Sequence, residues 1–305
     1  MLTQDFDYNL PHELIAQTPV EPRDSSRLMV VDRKTTPTLK GRGSDRRVGE
    51  VEHKNFYDIV DYLQKGDLLV WNNTKVFKAR LRGTLALDEA VSSATPPKPP
   101  LGKRGITPTD RILNAAPVEI FLVRPMENNK VWKVLAKPGR KLRLGMKIVF
   151  SEDFSCEVML KENDGPFLVQ FDEEDLSVRA KANKYGEVPV PPYIRTSAIG
   201  LQTSADKRTI AEDRRLKTEV QYQTIYAKEE GSVAAPTAGF HFTPELIQKL
   251  KDKGVEFAEV TLHVGLGTFL PVKTDKIEEH KMHSEWVELT AKNADLEIEL
   301  TVERG

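Results

Sequence analysis

The pattern of hydrophobic and polar positions predicts α/β structure in the first 75 residues. Short apolar runs at 28–32 and 67–71 contain β-branched residues and have turn signals nearby, so we predict two buried strands. The segment 55–66 has apolar residues at helical spacing and ends at Gly66, which predicts a helix. The basic, glycine-containing stretch at 35–53 is expected to be an exposed loop.

The same α/β character returns toward the other end of the chain. Thr243 is a good N-cap and Pro244 a good first helical residue, and we expect the helix that they begin to end at Gly254. Residues 255–265 then predict a strand in which apolar and polar side chains alternate. In that alternation His263 points away from the face that its apolar neighbours bury.

The middle of the chain has a different pattern. Five short segments of alternating or β-rich character, separated by Gly, Pro and charged turns, predict a small antiparallel sheet or barrel. These segments are 118–123, 130–137, 147–150, 155–160 and 166–171. The stretch 88–117 is proline-rich and poor in large apolar residues, so we expect a disordered insertion at a hairpin tip.

Composition limits the class of protein without giving a function. The hydrophobic fraction of 39% and the charged fraction of 30% are typical of globular proteins. There is no apolar run of 18 residues and no signal-peptide pattern, and the single Cys156 excludes an internal disulfide. We therefore expect a cytoplasmic protein. Lys and Arg number 45 against 46 Asp and Glu, but basic runs at 33–47 and 137–147 are able to hold phosphates.

Histidines are concentrated near the C-terminal end, where four of the six lie. Histidine transfers protons near neutral pH, so His241 and His263 are candidates for proton transfer, against the alternative that each is an ordinary structural histidine. His241 follows a run of small residues and precedes the predicted helix, a favourable position for an anion or a polarised group. His280 and His283 have helical spacing but not the metalloprotease arrangement, and we expect no metal.

Two glycines follow the predicted strand at 255–265. Gly265 and Gly267 have the position of a dinucleotide-binding turn, but Leu270 stands at the third glycine position and Pro271 follows it. This argues against the Rossmann fingerprint, although the glycines still allow a ligand close to the backbone. From the residues alone, the chain is a two-part α/β plus β protein with a pocket lined by glycine and histidine.

Longer motifs occur in a fixed order along nearly the whole chain. They lie at 6–33, 66–83, 190–195, 222–246, 261–272 and 280–285. In these motifs the chain resembles the S-adenosylmethionine:tRNA ribosyltransferase-isomerase family of queuosine biosynthesis. The resemblance does not extend to three insertions of this chain, near 39–50, 86–116 and 200–218.

The resemblance implies a reaction and an architecture. The family transfers and isomerises the ribosyl part of S-adenosylmethionine onto a 7-aminomethyl-7-deazaguanine base of tRNA, which gives epoxyqueuosine and releases adenine and methionine. The implied fold is an α/β main domain built from two chain segments, 1–75 and 190–305, with a small antiparallel β-barrel inserted at 76–189. The implied partners are tRNA and S-adenosylmethionine, with no membrane, and we expect a monomer.

The resemblance also implies the site residues. We expect His241 and His263 to be catalytic, and Arg140, Lys141 and Arg143 in a basic barrel turn to contact tRNA phosphates. The expected substrate-binding residues, taken from the family motifs, are Arg23, Asp24, Asn72, Arg80, Tyr222, Thr237, Gly239, Gly265, Gly267, Thr268, His283 and Glu285.

Departures from the family pattern leave alternatives open. Asn73 stands where the family usually has Asp, and family members continue past Gly305 through two further segments. We therefore expect a C-terminally truncated member. The alternatives are a non-catalytic remnant that binds tRNA or S-adenosylmethionine, and a different S-adenosylmethionine-dependent enzyme such as a methyltransferase.

Overall fold

The structure, a computed structural model, describes residues 1–32, 50–86, 117–162, 165–191, 193–194, 219–269, 271–280, 282 and 284–294. A closed antiparallel β-barrel is formed by the middle of the chain, and the segments before and after it together form an α/β unit. The predicted fold class is therefore confirmed. Within the described ranges, no helix is long and apolar enough to cross a membrane.

The barrel has six strands in the spatial order β10-β7-β6-β5-β8-β9. These are β5 (Arg80–Leu85), β6 (Pro117–Pro125), β7 (Val131–Lys137), β8 (Lys147–Ser151), β9 (Phe154–Lys161) and β10 (Phe167–Phe171). Alternate residues point inward and are almost fully buried, among them Leu81, Ile120 and Trp132. These side chains form one continuous core in the interior of the barrel. Burying each of them contributes roughly 1.5–3 kcal/mol to stability.

Five of the six barrel strands were predicted, and β5 was missed. In β5 the exposed Arg82 and the half-buried Arg80 flank the buried Leu81. Few apolar residues therefore mark the inward-facing positions of this strand. β5 pairs with β6, with Thr84 opposite Pro117. The insertion predicted at 88–117 thus connects two antiparallel neighbours, as expected of a hairpin tip, and except for Pro117 it lies outside the described residues.

A helix that the sequence did not predict packs on the barrel. This helix, α1 (Asp175–Tyr185), buries only Val178 and Ala182, one turn apart, and therefore has little apolar periodicity. Arg179 donates to Asp175 at 2.7 Å in the same helix. The Arg179 guanidinium lies over the ring of Trp132, 5.3 Å from the ring centroid, where a cation–π contact is favourable.

Strands from both ends of the chain form the main domain. The order β13-β12-β3 makes one sheet, in which β12 runs parallel to β3, and β4 pairs in parallel with β11. The strands are β3 (Leu68–Asn72), β4 (Thr74–Val76), β11 (Glu229–Ser232), β12 (Glu256–His263) and β13 (Trp286–Glu288). Because each parallel pair joins a strand from before the barrel to one from after it, the two chain segments form a single unit.

The helix predicted from Thr243 is present as α2 (Pro244–Lys253). The Thr243 hydroxyl accepts from the Leu246 N–H at 3.1 Å, and Gly254 ends the helix with φ +88°. Leu246 and Leu250 are buried against Phe56 in the core of the main domain. All three predictions for this helix, its cap, its first residue and its end, are confirmed.

Two predictions near the N-terminus are wrong in part. The run at 28–32 is a strand, β1 (Arg27–Asp32), but it pairs only with β2 (Glu50–Asn55) in a two-stranded ribbon. Leu28 on one face of the strand packs against the core of the main domain, whereas Met29 on the other face is 63% exposed, so the strand is only partly buried. The expected loop at 35–53 overlaps β2, and its residues 35–49 lie outside the described part.

In the part of the chain that the structure describes, the remaining helices are short. The predicted helix at 55–66 is a 3-10 helix at Phe56–Asp61, and it buries only Phe56. The other 3-10 helices are Thr3–Phe6, His12–Leu14, Arg23–Ser25, Gly139–Lys141, Thr237–His241, Leu266–Phe269 and Ile277–Glu279.

The polypeptide enters and leaves the barrel at one place. Arg80 N–H donates to the Glu187 carbonyl at 3.2 Å, and Glu187 N–H donates to the Arg80 carbonyl at 2.8 Å. This pair of hydrogen bonds joins the start of β5 to the second residue after α1. The domain boundaries at 75, 76, 189 and 190 remain predictions.

Candidate active site

The end of β12 carries His263 into contact with the β4–β11 pair. Nδ1 of His263 lies 2.7 Å from the hydroxyl oxygen of Thr74, the first residue of β4. The Thr74 side chain is completely buried, whereas the imidazole is half-buried. Among the described residues, Nδ1 is the ring nitrogen with a hydrogen-bond partner, which leaves Nε2 for another group.

The ring of His263 lies against Trp286 and Gly231. Trp286 of β13 stacks on the imidazole with 4.8 Å between centroids and 20° between planes. A Cβ added to Gly231 would meet Nε2 at 2.2 Å, and Cδ2 and Cε1 at 2.5 Å. Such similar distances to three neighbouring ring atoms place Gly231 over a ring face and not beside the ring edge. The edge that carries Nε2 is therefore left uncovered by Gly231.

The surroundings keep His263 neutral. Burial lowers the pKa of His263, since it penalises the charged imidazolium, and the positive charge of Arg179 lowers it further. A neutral imidazole with one nitrogen hydrogen-bonded has a lone pair or a proton to offer at the other nitrogen. The site is therefore able to accept or donate a proton near neutral pH.

Two asparagines, Asn72 at the end of β3 and Asn73 between β3 and β4, fix the backbone around this histidine. Asn72 donates from Nδ2 to the Leu262 carbonyl at 2.8 Å, and its Oδ1 accepts from the backbone N–H groups of Leu262 and Thr74 at 3.0 Å. Asn73, the departure from the family pattern, accepts from Thr261 at 2.7 Å. Asn72 was expected to bind substrate, but these bonds occupy its amide in holding Thr74 beside β12.

The glycine segment after β12 is held by its neighbours. Gly265 N–H donates to the Glu285 carboxylate at 2.9 Å. This hydrogen bond brings together two of the predicted substrate-binding residues. Gly267 and the exposed Thr268 lie in the 3-10 helix Leu266–Phe269 that follows. His283, also predicted to bind substrate, lies outside the described residues.

His241 has a different environment from His263. It ends the 3-10 helix Thr237–His241, and its ring lies 5.1 Å from that of Phe56, tilted by 41°. The neighbouring Phe242 is buried in the same cluster as Phe56, whereas Phe240 packs on Tyr222 in another cluster. The structure thus gives the two candidate histidines different neighbours and describes no contact between them.

The small residues before His241 are packed by the protein itself. A Cβ on Gly239 would lie 2.1 Å from the hydroxyl of Tyr226, so larger residues do not fit there. Thr237 is exposed and makes no described hydrogen bond through its side chain. Tyr222 is buried, which raises its pKa to about 12 and keeps the phenol neutral.

Arg23 and Asp24 connect the N-terminal segment to the rest of the main domain. The Arg23 guanidinium donates to the Gln223 carbonyl at 2.7 Å and to the Val220 carbonyl at 3.2 Å. Asp24 accepts from the hydroxyl of Thr243 at 3.2 Å and so supports the cap of α2. Both residues therefore stabilise the fold, and Arg23 also borders a cavity.

This cavity, of about 590 Å³, lies where the barrel meets the main domain. Its volume is within the range of small-molecule pockets. The lining combines cationic, anionic and apolar side chains from both parts: Arg23, Lys75, Val76, Lys78, Asn183, Val188, Glu219, Val220, Gln223, Thr224, Ile225 and Glu230. Lys78 and Glu219 form an ion pair at 2.8 Å within it.

The cavity and His263 share the β4–β11 pair. Lys75 and Glu230 face each other across the pair and line the cavity, while the adjacent Thr74 contacts His263. Arg179 donates to the Glu230 carbonyl at 3.4 Å. Arg80, predicted to bind substrate, lies where the barrel begins and has its Nε 3.9 Å from the Glu119 carboxylate.

The predicted tRNA-binding residues form an exposed turn of the barrel. Arg140 and Lys141 are in the 3-10 helix Gly139–Lys141, and Arg143 follows two residues later. Arg143 also donates to the Arg140 carbonyl at 2.7 Å, so one cation helps to shape the turn that presents the other two.

The sequence reasoning missed three residues of this site. Thr74 directly follows two asparagines in the family motif at 66–83, and a run of three polar residues directly after a predicted strand was the available signal. Arg179 belongs to the unpredicted α1, and Trp286 follows the last family motif. Among the described residues, no group of three or more His, Cys, Asp and Glu is placed to hold a metal ion.

Comparisons with known proteins give consistent similarities. A family model described as queuosine biosynthesis protein matches residues 3–305. An S-adenosylmethionine:tRNA ribosyltransferase-isomerase of Thermotoga petrophila is 42% identical over 305 residues, which is 100% of this chain and 72% of that protein. A protein of the same name from Sulfurihydrogenibium sp. is 43% identical over 286 residues, 94% of this chain and 68% of that one. A crystal structure of S-adenosylmethionine tRNA ribosyltransferase from Thermotoga maritima is similar with 29% identity and a TM-score of 0.35, covering 99% of this chain and 67% of that chain.

Proposed function

Because this chain belongs to the queuosine biosynthesis protein family, we propose that it is an S-adenosylmethionine:tRNA ribosyltransferase-isomerase. The observation that supports this most is the 42% identity that extends over all 305 residues of the chain. It is a transferase-isomerase that modifies tRNA. We expect it to act in the cytoplasm as a monomer, with S-adenosylmethionine as the ribosyl donor.

The proposed reaction joins the ribosyl carbons of S-adenosylmethionine to the aminomethyl group of a deazaguanine base in tRNA. Adenine and methionine leave, and the base gains an epoxycyclopentanediol. The reaction needs a base near the carbon next to the sulfonium, assistance to the departing adenine, and protection of a reactive intermediate from water. A neutral histidine in a partly buried position is a suitable proton acceptor.

We assign proton transfer to His263 in preference to His241. His263 is kept neutral by burial and by Arg179, and its Nε2 edge is left for a ligand. His241 packs on the ring of Phe56, a contact that a structural histidine would also make. Both histidines were candidates, and the geometry around His263 favours it.

We propose that the substrates bind across the β4–β11 pair. The cavity of about 590 Å³ beside Lys75 and Glu230 has mixed charge, as a zwitterionic amino-acid group requires. The glycine segment at Gly265 and Gly267 lies at the end of β12, next to His263. The basic turn at 140–143 lies on the barrel, where it provides phosphate contacts for tRNA.

One assay tests this function against the two alternatives. The protein is incubated with tRNA that carries the aminomethyl-deazaguanine base and with S-adenosylmethionine labelled either in the ribose or in the methyl group. Ribose label on the tRNA, with release of adenine and methionine, is the expected result. Methyl label alone would identify a methyltransferase, and binding without transfer would identify a non-catalytic remnant.

A further inference from the structure

The hydrogen bond between Thr74 and His263 has a direction that the surroundings determine. The Thr74 hydroxyl has one hydrogen to donate and two oxygen lone pairs to accept with. Besides Nδ1 of His263 at 2.7 Å, the Glu229 carbonyl lies 3.5 Å from the same hydroxyl oxygen. A carbonyl can only accept, and 3.5 Å is the outer limit of a hydrogen bond, so this contact is weakly favourable when Thr74 donates to Glu229.

If the Thr74 hydrogen points to Glu229, the hydroxyl oxygen must accept from His263. The proton of the neutral imidazole is then on Nδ1, and Nε2 carries the lone pair. The opposite arrangement, in which Thr74 donates to Nδ1, would leave the Glu229 carbonyl facing an oxygen lone pair. In a completely buried position such an unfavourable contact has no water to relieve it.

We propose that Thr74 is a positioning residue that holds His263 as the Nδ1–H tautomer, so that Nε2 is a proton acceptor. This inference rests on the proposed function, since it describes how the same histidine is prepared to remove a proton. It also explains why the position at the start of β4 is occupied by a buried hydroxyl. Asn72 contributes indirectly, because its Oδ1 accepts from the Thr74 N–H.

Other parts of the site support the same assignment. Gly231 lies over the ring face near Nε2, and Trp286 stacks on the imidazole, so the ring is unable to rotate freely about its Cβ–Cγ bond. A ring held in this way keeps Nδ1 on Thr74. In metal sites, hydrogen-bond partners that orient a histidine commonly change affinity or activity ten- to a hundredfold, and Thr74 orients His263 in the same way.

Charged residues lie on the elements near this ring. Arg179 of α1 opposes protonation of His263. Glu229 and Glu230 belong to β11, Glu285 accepts from Gly265, and Glu288 pairs with Thr261 at the far side of β13. A pH profile of the reaction reports whether the ring is protonated but not which nitrogen of the neutral ring carries its proton, so a direct measurement of the tautomer is needed.

The test is ¹⁵N NMR of protein labelled in its histidine side chains, at a pH where His263 is neutral. The two tautomers give different patterns of coupling between the ring nitrogens and the ring hydrogens, and His263→Gln identifies the signals of His263. We expect the Nδ1–H pattern in the wild type. An Nε2–H pattern there would overturn the proposal, whether or not the protein turns over substrate.

Variants of Thr74 separate the hydroxyl from the packing. Thr74→Val keeps the volume and removes the hydroxyl, and Thr74→Ser keeps the hydroxyl. We expect Thr74→Val to lose the pure Nδ1–H pattern and to lower kcat roughly tenfold or more, with little change in the KM for S-adenosylmethionine. Thr74→Ser should keep both the Nδ1–H pattern and the kcat of the wild type. Equal behaviour of Val and Ser at this position would contradict the proposal.

A matched control is Thr261→Val in the same strand as His263. Thr261 is also buried and also hydrogen-bonded, but its partner is Asn73. This change should lower the midpoint of urea unfolding while the His263 tautomer stays as in the wild type. If the wild type transfers no ribose, the proposed function fails, whereas the NMR result still decides the tautomer.

Discussion

Gly231 lies so close to the imidazole of His263 that no side chain fits between them. An ideal Cβ on this glycine would be 2.2 Å from Nε2, well inside van der Waals contact. Gly231 in β11 is thus required by the His263 side chain of β12 and not by the conformation of its own backbone. The two strands meet at this point, and the position of the histidine depends on it.

The first prediction concerns Gly231→Ala. The added methyl group must displace His263 or separate β11 from β12, so we expect a loss of about 1–3 kcal/mol in the free energy of unfolding, measured with urea. The ribosyl transfer should fall strongly as well. Gly265→Ala is the control for stability, because the nearest atom to its Cβ would be 3.8 Å away, and it should change the free energy by less than about 0.5 kcal/mol.

The second prediction concerns His263 and pH. Because burial lowers the pKa of His263, the folded protein binds this proton more weakly than the unfolded chain does. His263 is therefore neutral above about pH 6.5 and gains a proton only at lower pH. A proton acceptor must be neutral, so kcat/KM should fall only as the pH drops below about 6.5. The contribution of this group to stability is lost in the same direction, as the pH falls from about 6.5 toward the folded-state pKa.

His263→Gln should lower turnover roughly a hundredfold and remove this acid limb of the pH profile, with folding and S-adenosylmethionine binding retained. His241→Gln is the companion variant. If His241→Gln gives the larger loss per folded molecule, the assignment of proton transfer to His263 is incorrect.

The third prediction concerns the basic turn of the barrel. Arg140 and Lys141 are exposed, so changing both to alanine should weaken tRNA binding and reduce its salt slope by up to about two units. Including Arg143 should raise this to about three units, although its hydrogen bond to the Arg140 carbonyl makes a small loss of stability expected too. Titrations at several salt concentrations measure the slope.

The control for this surface is a double change of exposed lysines elsewhere, Lys249→Ala with Lys273→Ala, which lie in the main domain. We expect it to leave the salt slope nearly unchanged. Equal slopes for the wild type and the turn variants would show that the turn does not contact phosphates.

The fourth prediction concerns the insertion. Thr84 and Pro117 are opposite each other in β5 and β6, so a short link is able to connect these strands. Replacing residues 88–116 by a short Gly-Ser link should change the free energy of unfolding by less than about 1 kcal/mol, since loop length affects stability only weakly. A loss of several kcal/mol would show that the insertion packs on the protein.

Sequence patterns predicted the elements whose signals are local. The cap, first residue and end of α2 depend on Thr243, Pro244 and Gly254, and each of these acts on its own neighbours. Strands with regular alternation, such as β7, were also found. By contrast, α1 was missed because it buries only Val178 and Ala182, and no apolar stripe shows in its sequence.

The site was predictable as a list of positions but not as an arrangement. The alternation in β12 puts His263 and Leu262 on opposite faces of the strand, yet both are half-buried, and nothing local indicates that the partner of His263 is Thr74, far earlier in the chain. Similarly, Asn72 and Arg23 belong to motifs, and only the structure shows that their side chains bond to the backbone of distant segments. Pairing of remote strands determines these contacts.

The hydrogen-bonded pair at Arg80 and Glu187 has a consequence for the order of folding. β3 and β12 are neighbours in the sheet but are separated by the whole barrel in the chain, so their pairing closes a very long loop. A barrel that is already folded brings its two ends together and shortens the flexible chain that remains to be closed. We therefore expect amides of the barrel to gain protection from hydrogen exchange before those of β3 and β12 in a pulse-labelling experiment. Simultaneous protection of both regions would show that the main domain forms without this help.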